Sequence, residues 1–345
     1  KMSKHTDSTA EVVLEKRGGA GIITLNRPKA LNAINLSMIR QIYPQIKAWE
    51  QDPETFLIII KGTGGKAFCA GGDIRAMADA GKLGDSLAQD FFREEYTLNN
   101  AIGTCKKLYV ALIDGITMGG GVGLSVHGHF RVATEKTVFA MPETAIGKYA
   151  MYCAILICFK FHCSFNWDQM GLTERSGGNE LPALEEDLIA LKSPTKENIA
   201  DLLNSYHVKN KIDQGKEFVL DEHMEKINSL FSGATMEEIV EKLKQDGSAF
   251  AIKQLETLQK MSPTSLKLAL RHLRAGASMS LQDVLTTEYR LSQACMRGHD
   301  FYEGVRAVLI DRDQAPRWKP AALEEVSDEF LDDCFKPLGD NDLKL

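Results

Sequence analysis

Apolar positions along this chain come in two kinds of run, short continuous ones and long periodic ones. Residues 11–26 alternate toward a strand pair around Gly18-Gly19-Ala20-Gly21, with Ile22, Ile23 and Leu25 apolar. Phe56-Leu57-Ile58-Ile59-Ile60 and Leu108-Tyr109-Val110-Ala111-Leu112-Ile113 are unbroken, as in strands buried on both faces. Phe130–Thr134 and Thr137–Ala140 read as shorter strands joined by a tight Glu135-Lys136 connection. Between these runs, Met38, Ile42, Ile46 and Trp49 recur at helical spacing behind Asn35, which predicts a capped helix over Leu36–Trp49. Pro44 should kink that helix or end one of its hydrogen bonds. Further helices are expected from Asp73 and from Asp85 to Asn100. Strand, turn and helix thus repeat, the pattern of an α/β protein built from similar units.

From Leu184 onward the periodicity is almost wholly helical. Thr235-x-x-Glu238 forms a capping box, and Ser262-Pro263 is a cap followed by proline in the first turn. This predicts an α/β core over 10–183 and a helical C-terminal region over 184–345.

Composition changes this picture little. The 345 residues are 44% hydrophobic and 26% charged, with a formal net charge of −6, which gives no reason to expect nucleic acid or an anionic membrane as partner. No apolar run is long enough to span a bilayer; the nearest, Ala150 to Phe165, is broken by Lys160 and His162. Seven cysteines without dense paired spacing fit a reducing compartment. No cationic presequence is legible ahead of Thr24.

The candidate chemistry sits in two glycine blocks and one glutamate. Ala70-Gly71-Gly72-Asp73-Ile74 and Met118-Gly119-Gly120-Gly121 each close a β-rich run and open a helix-compatible one, and Glu143 follows in Met141-Pro142-Glu143-Thr144-Ala145-Ile146-Gly147. Glycine lets backbone N–H groups turn toward a ligand without a Cβ in the way, and a helix start leaves such donors unpaired. Two turns of this kind could cradle a carbonyl oxygen becoming an oxyanion, while a carboxylate acts as base or nucleophile. Neither block is a nucleotide fingerprint: the second lacks the last glycine of a dinucleotide loop, and no Gly-Lys-Ser/Thr follows. No Gly-x-Ser-x-Gly elbow marks a serine hydrolase. Of Glu94 and Glu95, adjacent on one helix, at most one faces a pocket. His127 and His129 lack an acidic or cysteine partner at ligand spacing, and Cys153, Cys158 and Cys163 match no zinc pattern.

These residues resemble the crotonase (enoyl-CoA hydratase/isomerase) superfamily. The matching stretches are Ile22–Ala33, Lys66–Ile74, Gly115–Gly123, the Pro142-Glu143 pair and Ser292–Ala307, within about 10–147 and 184–340. The resemblance implies a coiled stack of ββα units with a helical C-terminal region, usually assembled as a trimeric homo-oligomer. It implies a coenzyme A thioester whose carbonyl lies between the amides of Gly72 and Gly120, with Lys29 near the nucleotide end. Hydratases of the superfamily carry a second glutamate where Gly123 stands, so a hydrolase branch is favoured; that its substrate is 3-hydroxyisobutyryl-CoA, in valine breakdown, is implied by the resemblance alone. Glu143 then matches the catalytic carboxylate and Glu95 an acidic residue near the acyl end. No cofactor is implied beyond the coenzyme A of the substrate, and a mitochondrial matrix address comes with the resemblance.

The chain departs from that pattern after Gly147. The superfamily branch continues with Phe-Pro-Asp, whose aspartate is a second acid of the site; here Lys148-Tyr149-Ala150-Met151 follows, with Met151 in the aspartate's place. The mismatch runs to about Pro182 in a shorter stretch, and the match resumes abruptly at Leu184-Glu185-Glu186-Asp187-Leu188. Such edges point to an exchanged segment, as a splice product or frame shift would leave. They carry an alternative reading, a catalytically impaired member of the same branch.

Overall fold

The computed structural model describes residues 10–148, 180–210 and 221–345; Met151, Cys153, Cys158 and Cys163 lie outside them. Strands run in chain order as β1 (Val12–Arg17), β2 (Ala20–Leu25), β3 (Leu57–Gly62), β4 (Ala67–Cys69), β5 (Leu108–Ile113), β6 (Ile116–Met118), β7 (Phe130–Ala133) and β8 (Val138–Ala140). β1 and β2 form the expected antiparallel pair, with Val12 opposite Leu25. β2, β3, β5 and β7 then continue in parallel, giving the order β1-β2-β3-β5-β7. A second sheet, β4-β6-β8, is parallel throughout.

The two sheets alternate along the chain. Each long strand β3, β5 and β7 is followed within a few residues by a short strand of the other sheet. The Glu135-Lys136 connection therefore makes no hairpin: β7 pairs with β5 and β8 with β6. β4 and β6, three residues each, were too short for a period of two to reveal.

Helices α1 (Leu36–Gln51), α2 (Ile74–Lys82), α3 (Leu87–Gly103) and α4 (Gly120–Val126) separate the strands. Asn35 caps α1 by accepting the Met38 amide at 2.9 Å. The helix runs on through Pro44, which lies on its exposed side, where water can replace the hydrogen bond that the ring removes.

The described residues fall into two compact units. One comprises those within 10–72, 101–140 and 180–210; the other comprises those within 73–100, 141–148 and 221–345. In the first, α5 (Leu181–Ala190) and α6 (Lys196–Asn210) bring Leu184, Leu188, Ile199 and Leu203 against Ala20, Leu57, Ile59, Val110, Leu112, Phe130 and Val132. The resumed match at 184–188 has a physical basis, since every residue of it makes a tertiary contact. Leu184 and Leu188 enter the core, and Glu185 accepts from Lys61 Nζ at 2.5 and 2.7 Å. Glu186 takes a two-pronged pair from Arg17 at 2.9 and 2.6 Å, and Asp187 accepts the Tyr206 hydroxyl at 2.6 Å. Leu188→Ala is expected to destabilise the protein by about 2–5 kcal/mol, read as a lower denaturant midpoint. A loss below about 1 kcal/mol would show that α5 is no part of the core.

The second unit adds α7 (Met224–Leu230), α8 (Met236–Asp246), α9 (Ala249–Leu258), α10 (Pro263–Gly276), α11 (Leu281–Arg297), α12 (Asp300–Val305) and α13 (Asp328–Phe335). α7 to α10 close one apolar cluster around Ile239, Leu243 and Leu266, and α10, α11 and α13 close another around Leu268, Leu291 and Leu331. Thr235 caps α8 by accepting the Glu238 amide at 3.1 Å, while the Glu238 carboxylate reaches back to the Ala234 amide at 2.6 Å. Ser262 caps α10 ahead of Pro263 by accepting the Ser265 amide at 3.1 Å.

Candidate functional site

In the first unit, pairing of β4 with β6 brings the two glycine blocks side by side at the strand ends. Gly71 adopts φ +105° and Gly119 φ +48°, conformations that a side chain would oppose. A Cβ on Gly71 would lie 3.3 Å from the Met118 carbonyl oxygen and 3.7 Å from the Gly120 nitrogen, so the two turns nearly touch. Gly120 is the first residue of α4, and its N–H is among the donors that helix geometry leaves without an internal partner. Gly72 forms a bridge with Ile34, whose amide donates to Gly71 O at 2.8 Å and pins the first turn. Gly121 is packed so closely on β4 that a Cβ there would sit 2.3 Å from the Cys69 carbonyl oxygen. Lys29 is exposed on the 3-10 turn Pro28–Ala30. Buried Asn32 holds the loop behind it, donating to the carbonyls of Thr63 and Ala67 at 2.9 and 2.8 Å.

In the second unit, Glu143 opens a 3-10 turn, Glu143–Ile146, and is only 5% exposed. The turn is held from several sides. The Ser262 amide donates to Thr144 O at 3.2 Å, and the Ser262 hydroxyl donates to Asp300 Oδ2 at 2.6 Å. The Lys319 amide donates to the other oxygen of Asp300 at 2.7 Å. Gly304 of α12 lies so near the turn that a Cβ would fall 2.3 Å from the Ile146 carbonyl carbon. The Gly298-to-Arg306 stretch thus fixes the backbone that carries Glu143.

Glu95 points inward from α3, in keeping with the expectation that at most one of the adjacent pair would; it is 2% exposed, whereas Glu94 is half-buried. Burial pushes the carboxyls of both Glu143 and Glu95 up to about 7. The positive charge of Lys148 opposes that rise in both, and the negative charge of Glu288 adds to it. One carboxyl oxygen of each, Oε2, has no hydrogen-bond partner among the described residues. Desolvated carboxyls poised near neutrality are suited to proton transfer or to attack.

Sequence reading missed Lys148 and Glu288, both buried here. Glu288 had a signal: it interrupts the apolar stripe Val284, Leu285 and Leu291 on the inner face of α11. Lys148 had none, because it opens the stretch where the match lapses. His127 ends α4, and burial pushes it down to about 4; His129 Nδ1 accepts the Tyr109 amide at 3.2 Å. Among the described residues no group of His, Cys, Asp and Glu could hold a metal, and no helix is long and apolar enough to cross a membrane.

Comparison with known proteins places this arrangement. The enoyl-CoA hydratase/isomerase family profile matches residues 20–153 and 170–335, leaving out part of the divergent stretch. The mitochondrial 3-hydroxyisobutyryl-CoA hydrolases of Gallus gallus and Xenopus laevis are 72% and 65% identical, each over 100% of this chain and 94% of the relative. The Gallus alignment spans 360 positions against a chain of 345, so at least 15 of those positions have no residue here. Among solved structures, a carnitinyl-CoA dehydratase from Mycobacterium thermoresistibile superposes with a TM-score of 0.87 at 29% identity, over 97% of this chain and 98% of that one. Alternating strands in two sheets, paired glycine turns and full-length likeness agree: the chain belongs to the enoyl-CoA hydratase/isomerase family, the crotonase superfamily.

Proposed function

We propose that this chain hydrolyses 3-hydroxyisobutyryl-CoA, in the mitochondrial compartment for which its relatives are named. Water is added across the thioester C–S bond, releasing 3-hydroxyisobutyrate and free coenzyme A. The observation that carries the reading is 72% identity over the whole chain to a relative of that name. Coenzyme A enters only as part of the substrate, and the chemistry needs no metal or redox group.

Roles follow from charge flow. Negative charge builds on the thioester oxygen in the transition state, and the Gly72 and Gly120 amides are assigned to it. One such donor is typically worth about 10²–10³ in rate. Glu143 is assigned to the carbonyl carbon, as nucleophile or as the base that activates water. Glu95 is assigned to the acyl end and Lys29 to the nucleotide end. Gly123 supports hydrolysis over hydration, because it offers no carboxylate to direct water at a double bond. Assembly as a homo-oligomer belongs to the same reading.

Met151 favours a second reading, an impaired hydrolase that lacks one acid. Release of free thiol from 3-hydroxyisobutyryl-CoA by the purified chain, beside its Met151→Asp variant, separates the two. Turnover by the unaltered chain supports the first. A folded but silent chain that aspartate revives supports the second, and hydration of an enoyl thioester in place of hydrolysis would overturn both.

The buried carboxyls also predict a pH dependence. Activity should fall as pH drops through about 7, the value to which burial raises Glu143 and Glu95, because the protonated form can neither attack nor accept a proton. The limb belongs to the coupled pair. A kcat/KM profile with its acid midpoint near 4.5 would show Glu143 to be solvated in the working enzyme.

A further inference from the structure

Lys148 is a buried cation in a place where burial needs a reason. It lies just after the Glu143–Ile146 turn and donates its amide to Glu143 O at 3.0 Å, closing that turn. Gly147, at φ +64°, reverses the chain between them. The Lys148 side chain is 3% exposed, and its ammonium nitrogen stands 4.1 Å from the centroid of the Phe92 ring. Phe92 lies one helical turn before Glu95 on the same buried face of α3.

Three buried carboxyls share its electrostatic surroundings: Glu143 of the turn and Glu95 of α3, in both of which the charge of Lys148 opposes the rise caused by burial, and Glu288 of α11, whose charge adds to that rise. His272 of α10 stands 3.8 Å from Glu288 Oε1 and is itself fully buried. Burial, and the repulsion of neighbouring acids, disfavour the charged forms of Glu143 and Glu95. Lys148 brings a basic side chain into the same buried region. An aromatic face and nearby carboxylates are the two environments in which a desolvated ammonium is tolerated.

We propose that Lys148 is a positioning residue of the acid site, whose buried ammonium, held over the Phe92 ring, is the counter-charge that lets Glu143 and Glu95 carry a carboxylate. The catalytic consequence rests on the role proposed for Glu143; the electrostatic role does not.

The test compares the full-length chain with Lys148→Met and Lys148→Arg. Glutamate is labelled with ¹³C at the side-chain carboxyl, and the Glu143 and Glu95 signals are followed by NMR between pH 4 and 10. In Lys148→Met both midpoints are expected to rise by about one pH unit, as for loss of an opposite charge in the same buried region. In Lys148→Arg they should stay near the parent values. If the parent is active, the acid limb of kcat/KM should move up with them. Unchanged midpoints in folded Lys148→Met overturn the proposal. Should that variant not fold, Lys148→Gln, neutral with a polar head, is read in the same way. The titration needs no turnover, so a silent enzyme would count against the proposed hydrolysis and leave this result standing on its own.

Discussion

Glu143→Gln should lose about 10²–10⁴-fold in thioester hydrolysis while the protein stays folded. The amide keeps the volume and one carbonyl acceptor of the carboxyl, but it is neither a base nor a usable nucleophile. Ser262, Asp300 and Gly304 hold the backbone of the turn and not the side chain, so the turn itself should persist. Stability should respond in a direction that few active-site changes share. The Glu143 carboxyl is raised from 4.5 to about 7 on folding, so the native state binds that proton more tightly than the unfolded chain does. Its contribution is present below about pH 4.5 and is lost as pH rises through about 7. Glutamine has no such proton, so Glu143→Gln should gain on the parent by about 3 kcal/mol between pH 4.5 and 8. Thermal melts across that range, run beside thiol-release assays, measure both effects. Full activity in the variant would remove Glu143 from the chemistry.

Gly121→Ala should be nearly as damaging, though no side chain is lost. The new methyl would meet the Cys69 carbonyl oxygen at 2.3 Å and the Cys69 Cβ at 2.7 Å, and backbone atoms there have no rotamer with which to escape. The first turn of α4 must then move away from β4, carrying the Gly120 amide with it. If that amide serves a developing oxyanion, kcat should drop by about 10²–10³ while KM moves much less. Overpacking of this kind typically adds about 1–3 kcal/mol of instability. Measured kcat and KM, with circular dichroism to show that the fold persists, decide it. A variant with the parent's kcat would mean that the spacing of the two glycine turns does not matter to catalysis.

Both effects start from backbone placement, and much of that was legible in the residue order. The continuous apolar runs became the long strands β3 and β5, and Asn35, Thr235 and Ser262 cap the helices they were expected to cap. The glycine blocks and the Pro142-Glu143 pair stand out because glycine and proline constrain the backbone locally, whatever surrounds them. Resemblance supplied the family, and the full-length relatives bear it out.

The rest depended on neighbours distant in sequence. Whether Glu135-Lys136 makes a hairpin or passes between sheets is set by β5 and β6, which outcompete the local pairing. Glu94 and Glu95 are equivalent by composition, and only packing of α3 buries one and leaves the other half in water. Pro44 was expected to kink α1 or end one of its hydrogen bonds; the helix runs on through it, with its opposite face anchored in the core by Ile42 and Ile46. Lys148 carries no signal in the sequence, yet it is buried over Phe92 in a unit where acids from two helices and a turn are also buried. Residue order by itself determined the long strands, caps, glycine turns and family, because each rests on contacts within a few residues or on wholesale likeness. Tertiary structure alone decided the charge state and company of the buried acids, because desolvation and Coulomb energy depend on what else occupies the same small volume.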